Sequence, residues 1–422
     1  MAESSFLSDI LRRVSVAPWR DSSREADLAS MCHELLSERS EASGLILARE
    51  ILDRYEISDD AAKVTFFEAL ARSFGVDREA LTTAVADWEH ASEDGVVDAA
   101  RRLHFAAEPQ TQELIRVLNR VPGATAQLVR MRADLLAILP DRPDLRGLDT
   151  DFRHLFSSWF NRGFLEMQRI GWSTPASVLE KVIAYEAVHE IAGWDDLRQR
   201  VGDPDRKLFG FFHPAMPGEP LIFVEVALMV KIPGAIHDII NPEREMIAPE
   251  DAKVAVFYSI SNCQKGLRGI SFGNFLIKQV VADIAQELPG FDTFVTLSPV
   301  PGLRRYAESA EEGDPVLEGF ELPQEGGPAP DAARKLAAKY LTQAKRKGGT
   351  AYDPVAHFHL SNGAEFHDAH GAADLSDTGQ SNSWGVMVNY LYDPAKTETN
   401  HHAYANDGVV AMSSKMRSLA RK

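Results

Sequence analysis

Cysteine is almost absent: Cys32 and Cys263 are the two thiols in a chain of 422 residues. Two thiols so far apart make no disulfide framework, and they rule out a zinc site built on clustered cysteines. Such usage is normal for a reducing compartment, so a cytoplasmic location is expected. Long hydrophobic runs are missing too. No segment reaches the roughly 18 consecutive apolar residues of a membrane span. The opening residues, MAESSFLSDILRRVSVAPW, lack the apolar stretch of a secretory signal. The closing SLARK is not a peroxisomal address. Positive charge is in deficit: 45 basic against 62 acidic residues leave a net charge of −17. That argues against nucleic acid as a partner, while a few Lys or Arg still suffice for a local anion pocket. Neither GxxxxGK[ST], a clean GxGxxG nor HExxH occurs, so P-loop, dinucleotide and zincin readings have no support.

What is present divides in two. Up to about residue 185 the apolar spacing is helical, as in ASGLILAREILDRYEIS (42–58), where Leu45, Leu47, Ile51, Leu52 and Tyr55 fall along one side. Thr174 and Pro175 give the stretch 173–194 a helix start. Beyond that the texture becomes apolar runs rich in branched residues: PLIFVEVALMV, AKVAVFYSI, TFVTL, PVAHFHL and WGVMVNYLY. These read as largely buried strands. FLIKQVVADIAQEL (275–288) reads as a helix packed on them by its Leu276, Ile277, Val280, Val281, Ile284 and Leu288 stripe. The expected organisation is a helical domain over 1–185 and an α/β domain over 186–422.

Four stretches could carry chemistry. SISNCQKGLRGISFGNFLIK (259–278) predicts a strand, a Gly-punctuated turn and a helix start. Gly266, Gly269 and Gly273 let the backbone approach a ligand, helix-start amides point at an anion, and Lys265 and Arg268 add charge. This suits a diphosphate; the plainer reading is a tight turn with glycines for packing. In TLSPVPG, Ser298 ends a strand before a proline and could face a cleft, or it could simply open a Ser-Pro turn. In DPVAHFHLSNGAEFHDAHG (353–371), a strand over 354–360 would put His357 and His359 on one face. An HxH pair can bind a metal, with His367, His370, Asp368 or Asp374 completing the set, or one imidazole can work alone. His367 and His370 read as loop. In NYLYDPAKTETNHHAYANDG, Tyr390 and Tyr392 share a strand face, and His401 and His402 read as polar loop.

Taken together, HPAMPGEPLIFVEVALM, FYSISNCQKGLRGISFGNFLIKQVV, LSPVPG, DPVAHFHLSNGA and GVMVNYLY resemble the malonyl-CoA decarboxylase family, in the family's order. The resemblance implies an α + α/β fold: an all-helical N-terminal oligomerisation domain, then an acetyltransferase-like (GNAT-type) mixed-sheet catalytic domain. It implies conversion of malonyl-CoA to acetyl-CoA and carbon dioxide without metal or organic cofactor, by a homo-oligomer, a tetramer in the family. It makes Ser298, His359 and Tyr392 the catalytic residues. It assigns coenzyme binding to Gln264, Lys265, Gly266, Leu267, Arg268, Gly269, Ser271, Gly273 and Asn274. His357, expected to line or support the same cavity as His359, and Asn362 complete the expected substrate-binding set. Some family members carry glutamate where this chain has Ser271.

The reaction explains those residue types. Loss of carbon dioxide leaves a carbanion delocalised onto the thioester oxygen, which needs hydrogen-bond donors, a desolvated carboxylate and a proton for the new methyl group. His359, with an ordinary pKa near neutrality, suits proton or hydrogen-bond donation. Ser298 could fix either the carboxylate or the thioester oxygen. Two alternatives share the coenzyme turn: acyl transfer from a coenzyme A thioester to an amine, and a non-catalytic assembly protein that senses an acyl-CoA.

Overall fold

A computed structural model describes residues 27–421 apart from 271, 273–275, 292, 312 and 322–326. The chain divides into two compact units at residue 165. The first takes the described residues up to Leu165, His213–Pro217 and the turn that starts at Gln264. Its helices run from Leu28–Ser37 to Arg146–Trp159. Side-chain caps start several of them: Asp27, Ser40, Asp59 and Asp77 each accept from backbone amides of the first turn. Phe67, Phe74, Leu128, Leu135, Phe152, Phe156 and Phe160 are fully buried between them.

Arg132 is buried in that same unit. Its Nε meets Asp149 Oδ1 at 2.9 Å, and Nη1 donates to the carbonyls of Gly266 and Arg268 at 2.6 and 3.0 Å. A guanidinium removed from water needs all these partners. It ties the turn to the helix Ala124–Ile138.

The second unit is a mixed sheet. Its strands are β1 (Glu166–Ile170), β2 (Arg206–Phe212), β3 (Pro220–Met229), β4 (Val254–Asn262), β5 (Thr293–Thr296), β6 (Ser298–Pro299), β7 (Glu365–His370) and β8 (Met387–Tyr392). They lie in the order β1-β2-β3-β4-β5-β8-β6, with β7 also on β8. The pair β4–β5 is parallel and the rest are antiparallel. β2 is buried throughout and β3 in all but its last residue, which is why their sequences run apolar instead of alternating. Helix Leu276–Glu287 lies between β4 and β5 in the chain, and its stripe of Leu276, Ile277, Val280 and Ile284 is buried.

The sequence reading and the compact units divide the chain at different points. Helices Ala176–Tyr185 and Trp194–Gly202 belong to the second unit. Val178, Leu179, Val182 and Leu197 pack there with Ile170, Leu208, Phe212 and Phe223. A helix that covers a sheet shows the same 3.6-residue pattern as one in a bundle, so periodicity alone does not place it.

One element is of the wrong type in the sequence reading. Residues 354–360 form no strand; Pro354–Ser361 is a helix. Asp353 caps it, accepting from the amides of Val355 and Ala356, and Pro354 sits at the first helical position. Aspartate then proline is a helix start, and it overrides the strand-like composition that follows. His367 and His370, read as loop, lie on β7, and His401 and His402 lie on helix Thr397–Asp407.

Candidate active site

Ser298 is set by β5 and β6. The parallel strand β5 ends at Thr296, and Ser298 resumes pairing opposite Val388 of β8. His359 comes from the last turn of the Pro354–Ser361 helix. β8 contributes Tyr390 and Tyr392, two residues apart and so on one face. Sixty-one positions apart in sequence, Ser298 Oγ and His359 Nε2 stand 3.1 Å apart. On its other side His359 Nδ1 meets Tyr392 Oη at 2.8 Å. The imidazole stacks on the Tyr390 ring, centroids 4.3 Å apart.

A further bond bears on which ring nitrogen carries the hydrogen. Ser298 Oγ donates to Thr296 Oγ1 at 2.8 Å. A serine hydroxyl has a single hydrogen. With that hydrogen on Thr296, the bond between Ser298 and His359 is donated by Nε2–H. Nδ1 is then bare and accepts the Tyr392 hydroxyl. Burial is consistent with this: it pushes the His359 pKa down to about 3, and the Tyr392 phenol well above its usual value. The imidazole is neutral at physiological pH. The ordinary imidazole value near neutrality, from which the sequence reading started, is thus displaced by burial. With that assignment the donors run one way, from Tyr392 to His359 to Ser298 to Thr296.

Ser298 and His359 open onto a cavity of about 280 Å³. Its walls are largely apolar, with Val188, Ile222, Phe257, Leu276, Val355 and Phe358 among them. Along one wall runs β4. On one edge β4 pairs with β3 as far as Asn262, but on the other it leaves β5 after Phe257. Tyr258, Ile260 and Asn262 line the cavity beyond that point. No partner strand covers that edge of β4 among the described residues.

The profile of the malonyl-CoA decarboxylase C-terminal domain matches residues 163–320 and 328–422, and that of the N-terminal domain matches 74–160. The chain belongs to the malonyl-CoA decarboxylase family. It is therefore a carboxy-lyase by descent. "Malonyl-CoA decarboxylase, mitochondrial" of Rattus norvegicus is 33% identical over 408 residues, covering 86% of this chain and 82% of that one. The crystal structure of malonyl-CoA decarboxylase from Rhodopseudomonas palustris superposes with a TM-score of 0.86 at 48% identity, over 94% of this chain and 98% of that one. The enzyme from Agrobacterium vitis gives 0.84 at 46%, over 94% and 100%.

In this malonyl-CoA decarboxylase family member, the structure brings together Ser298, His359 and Tyr392, but with unequal access. Ser298 and His359 line the cavity; Tyr392 touches the imidazole instead. His357 is not beside them. On a helix two residues are about 200° apart, so it cannot share the His359 face. It bonds Tyr404 Oη through Nδ1 at 2.9 Å, outside the cavity lining. His357 and His359 therefore offer no common face for a metal to bridge, and no group of three or more potential ligands occurs among the described residues. Asn362 is buried at the helix end, where Nδ2 donates to the Phe358 carbonyl. His370 bonds Asn389 Oδ1 and His401 bonds the Ser361 carbonyl.

The coenzyme turn is more structural than expected. Lys265–Leu267 is a short 3-10 turn with Gly266 and Leu267 buried. A Cβ on Gly266 would lie 1.8 Å from the Val129 carbonyl oxygen, so this glycine is explained by packing on a helix and not by a ligand. Gly269, with φ +78°, needs glycine for its backbone. Gln264 is half-buried, while Lys265 and Arg268 are exposed. Ser271, Gly273 and Asn274 lie outside the described residues.

Sequence reasoning named Tyr390 only as sharing a strand face with Tyr392, and it missed Thr296 and Asp353. Thr296 carried a weak signal, two residues before Ser298 at the end of an apolar run. For Asp353 the signal was the Asp-Pro pair.

Proposed function

We propose that the protein decarboxylates malonyl-CoA through an enolate held by Ser298 and His359, with no metal or organic cofactor. The carrying observation is that Ser298 and His359, hydrogen-bonded to each other, line one largely apolar cavity. In the reaction the bond between the carboxylate carbon and the methylene breaks, and its electron pair moves onto the thioester. Carbon dioxide leaves, and one proton from solvent completes the methyl group of acetyl-CoA. The thioester is the electron sink. Donors from Ser298 and His359 meet its oxygen as charge develops, an effect worth about 3–4 kcal/mol per donor. Apolar walls such as Phe257, Val355 and Phe358 disfavour the charged carboxylate and favour its departure as a neutral gas.

The direction of the donor chain weighs against covalent acyl transfer. A nucleophilic serine needs a base to take its proton. With the Ser298 hydrogen on Thr296, Nε2 carries a hydrogen and directs it at Ser298. The open edge of β4 gives an extended pantetheine arm, with its two amides, a strand to pair with. The resemblance assigns the diphosphate to the turn that starts at Gln264, where Lys265 and Arg268 are exposed.

Incubation with malonyl-CoA alone tests the proposal. Equal amounts of acetyl-CoA and carbon dioxide, unaffected by chelator, are expected. Dependence on an added amine would establish the transferase instead, and tight binding without product would establish a sensor.

We also infer a homo-oligomer formed through the helical unit. Supporting it, helices Arg78–Glu89 and Val96–Ala106 leave Val85, Trp88, Val96, Val97 and Phe105 exposed, Phe105 by 70%. A cytoplasmic site is proposed on the two free, buried thiols, although the rat relative is named mitochondrial. Among the described residues no helix is long and apolar enough to cross a membrane.

A further inference from the structure

We propose that Thr296 is a positioning residue which sets the tautomer of His359 and holds the Ser298 hydroxyl until substrate arrives. Thr296 is fully buried at the end of β5. Its Oγ1 accepts the Ser298 hydroxyl at 2.8 Å and the Tyr390 amide at 3.2 Å. Its carbonyl accepts from Asn389 Nδ2 at 2.9 Å. The residue is thus held from β8 through one side-chain and one main-chain bond, and its Oγ1 has little freedom to follow Ser298.

Its effect follows from counting hydrogens. Ser298 has one to give and two neighbours that could take it, Thr296 Oγ1 and His359 Nε2. While Thr296 takes it, Nε2 must be the protonated nitrogen and Nδ1 must accept from Tyr392. Remove the threonine oxygen and the serine hydrogen turns to Nε2. The ring proton then moves to Nδ1, where Tyr392 Oη becomes the acceptor. The whole chain of donors reverses, and Nε2 no longer offers a hydrogen to a developing enolate. In the native arrangement, a substrate oxygen that displaces Thr296 gains the Ser298 hydrogen, while Nε2–H stays on the cavity side. The switch is a rotation about one Cβ–Oγ bond and breaks no covalent bond.

The catalytic consequence rests on the decarboxylase reading; the tautomer does not. The experiment therefore has two arms. Protein labelled with ¹⁵N-histidine is measured without substrate, and the His359 ring signals are those that vanish in His359→Gln. Wild type should show the hydrogen on Nε2, Thr296→Ser the same, and Thr296→Val the hydrogen on Nδ1. In the kinetic arm Thr296→Val should lower kcat about tenfold to a hundredfold with KM little changed, and Thr296→Ser should recover most of it. A wild-type ring with its hydrogen on Nδ1 overturns the proposal, even if the valine variant does not fold. So does a folded Thr296→Val that keeps Nε2–H, or a serine variant as slow as the valine one. Absence of carbon dioxide release from wild type would instead sink the reaction assigned, and would leave the tautomer result standing.

Discussion

His359 is worth most to the protein while neutral. Burial between Ser298, Tyr390 and Tyr392 depresses its pKa in the folded state to about 3, whereas the unfolded chain offers an ordinary imidazole near 6.5. Below that ordinary value the unfolded state takes up a proton that the folded state refuses. The stabilisation from this group is therefore complete above about pH 6.5 and drains away as pH falls toward 3. Urea unfolding of wild type and His359→Gln across this range should show the difference between them moving in favour of the variant on acidification. A difference that stays constant from pH 7.5 to 5 would mean that the imidazole is not held neutral. The same depression removes the limb near pH 6.5 that a titrating His359 would impose on kcat. Ser298 and His359 were legible because family segments surround them. Tyr392 was legible only as a member of the site, and its access to His359 but not to the cavity needed coordinates. His357 was misplaced because its assignment followed from the wrong element.

That element is the helix Pro354–Ser361, of eight residues, which carries His359 in its last turn. So short a helix depends on its cap. Asp353 caps it with Oδ1, while Tyr340 donates to Oδ2 at 3.4 Å, which links the helix start to helix Pro330–Gln343. Asp353→Ala should cost about 1–2 kcal/mol of stability and lower kcat, since a looser first turn lets the imidazole drift from Ser298. Asp353→Asn, itself a good cap, should recover most of both losses. Thermal unfolding alongside steady-state kinetics checks this; an alanine variant with native kcat would detach the cap from catalysis. The strand misreading has a physical origin. Val355, Phe358 and Leu360 between histidines imitate a branched strand, and over so few residues composition does not separate strand from helix. By contrast the long apolar runs that became β3 and β4 are mostly buried and were read correctly as strands, while β2, with Arg206, Lys207 and Gly210 among its seven residues, was not picked out.

At the scale of the molecule, the change from helical to strand-rich sequence was visible, but not which later helices cover the sheet. Nor did any pattern show that the turn at 264 packs in the helical unit through Arg132, because that contact joins residues more than 130 positions apart. Self-association belongs to this scale as well. Val97→Glu combined with Phe105→Glu places two charges on the exposed apolar surface and should reduce the mass seen by light scattering while each unit stays folded. An unchanged mass would move the interface elsewhere. The central claim, however, is that a buried neutral imidazole and a serine stabilise one enolate. Its most direct test is the rate of carbon dioxide release from malonyl-CoA by folded His359→Ala. A fall of about a hundredfold to a thousandfold in kcat is predicted, the usual cost of losing one such donor. A rate within a few-fold of wild type would contradict the account.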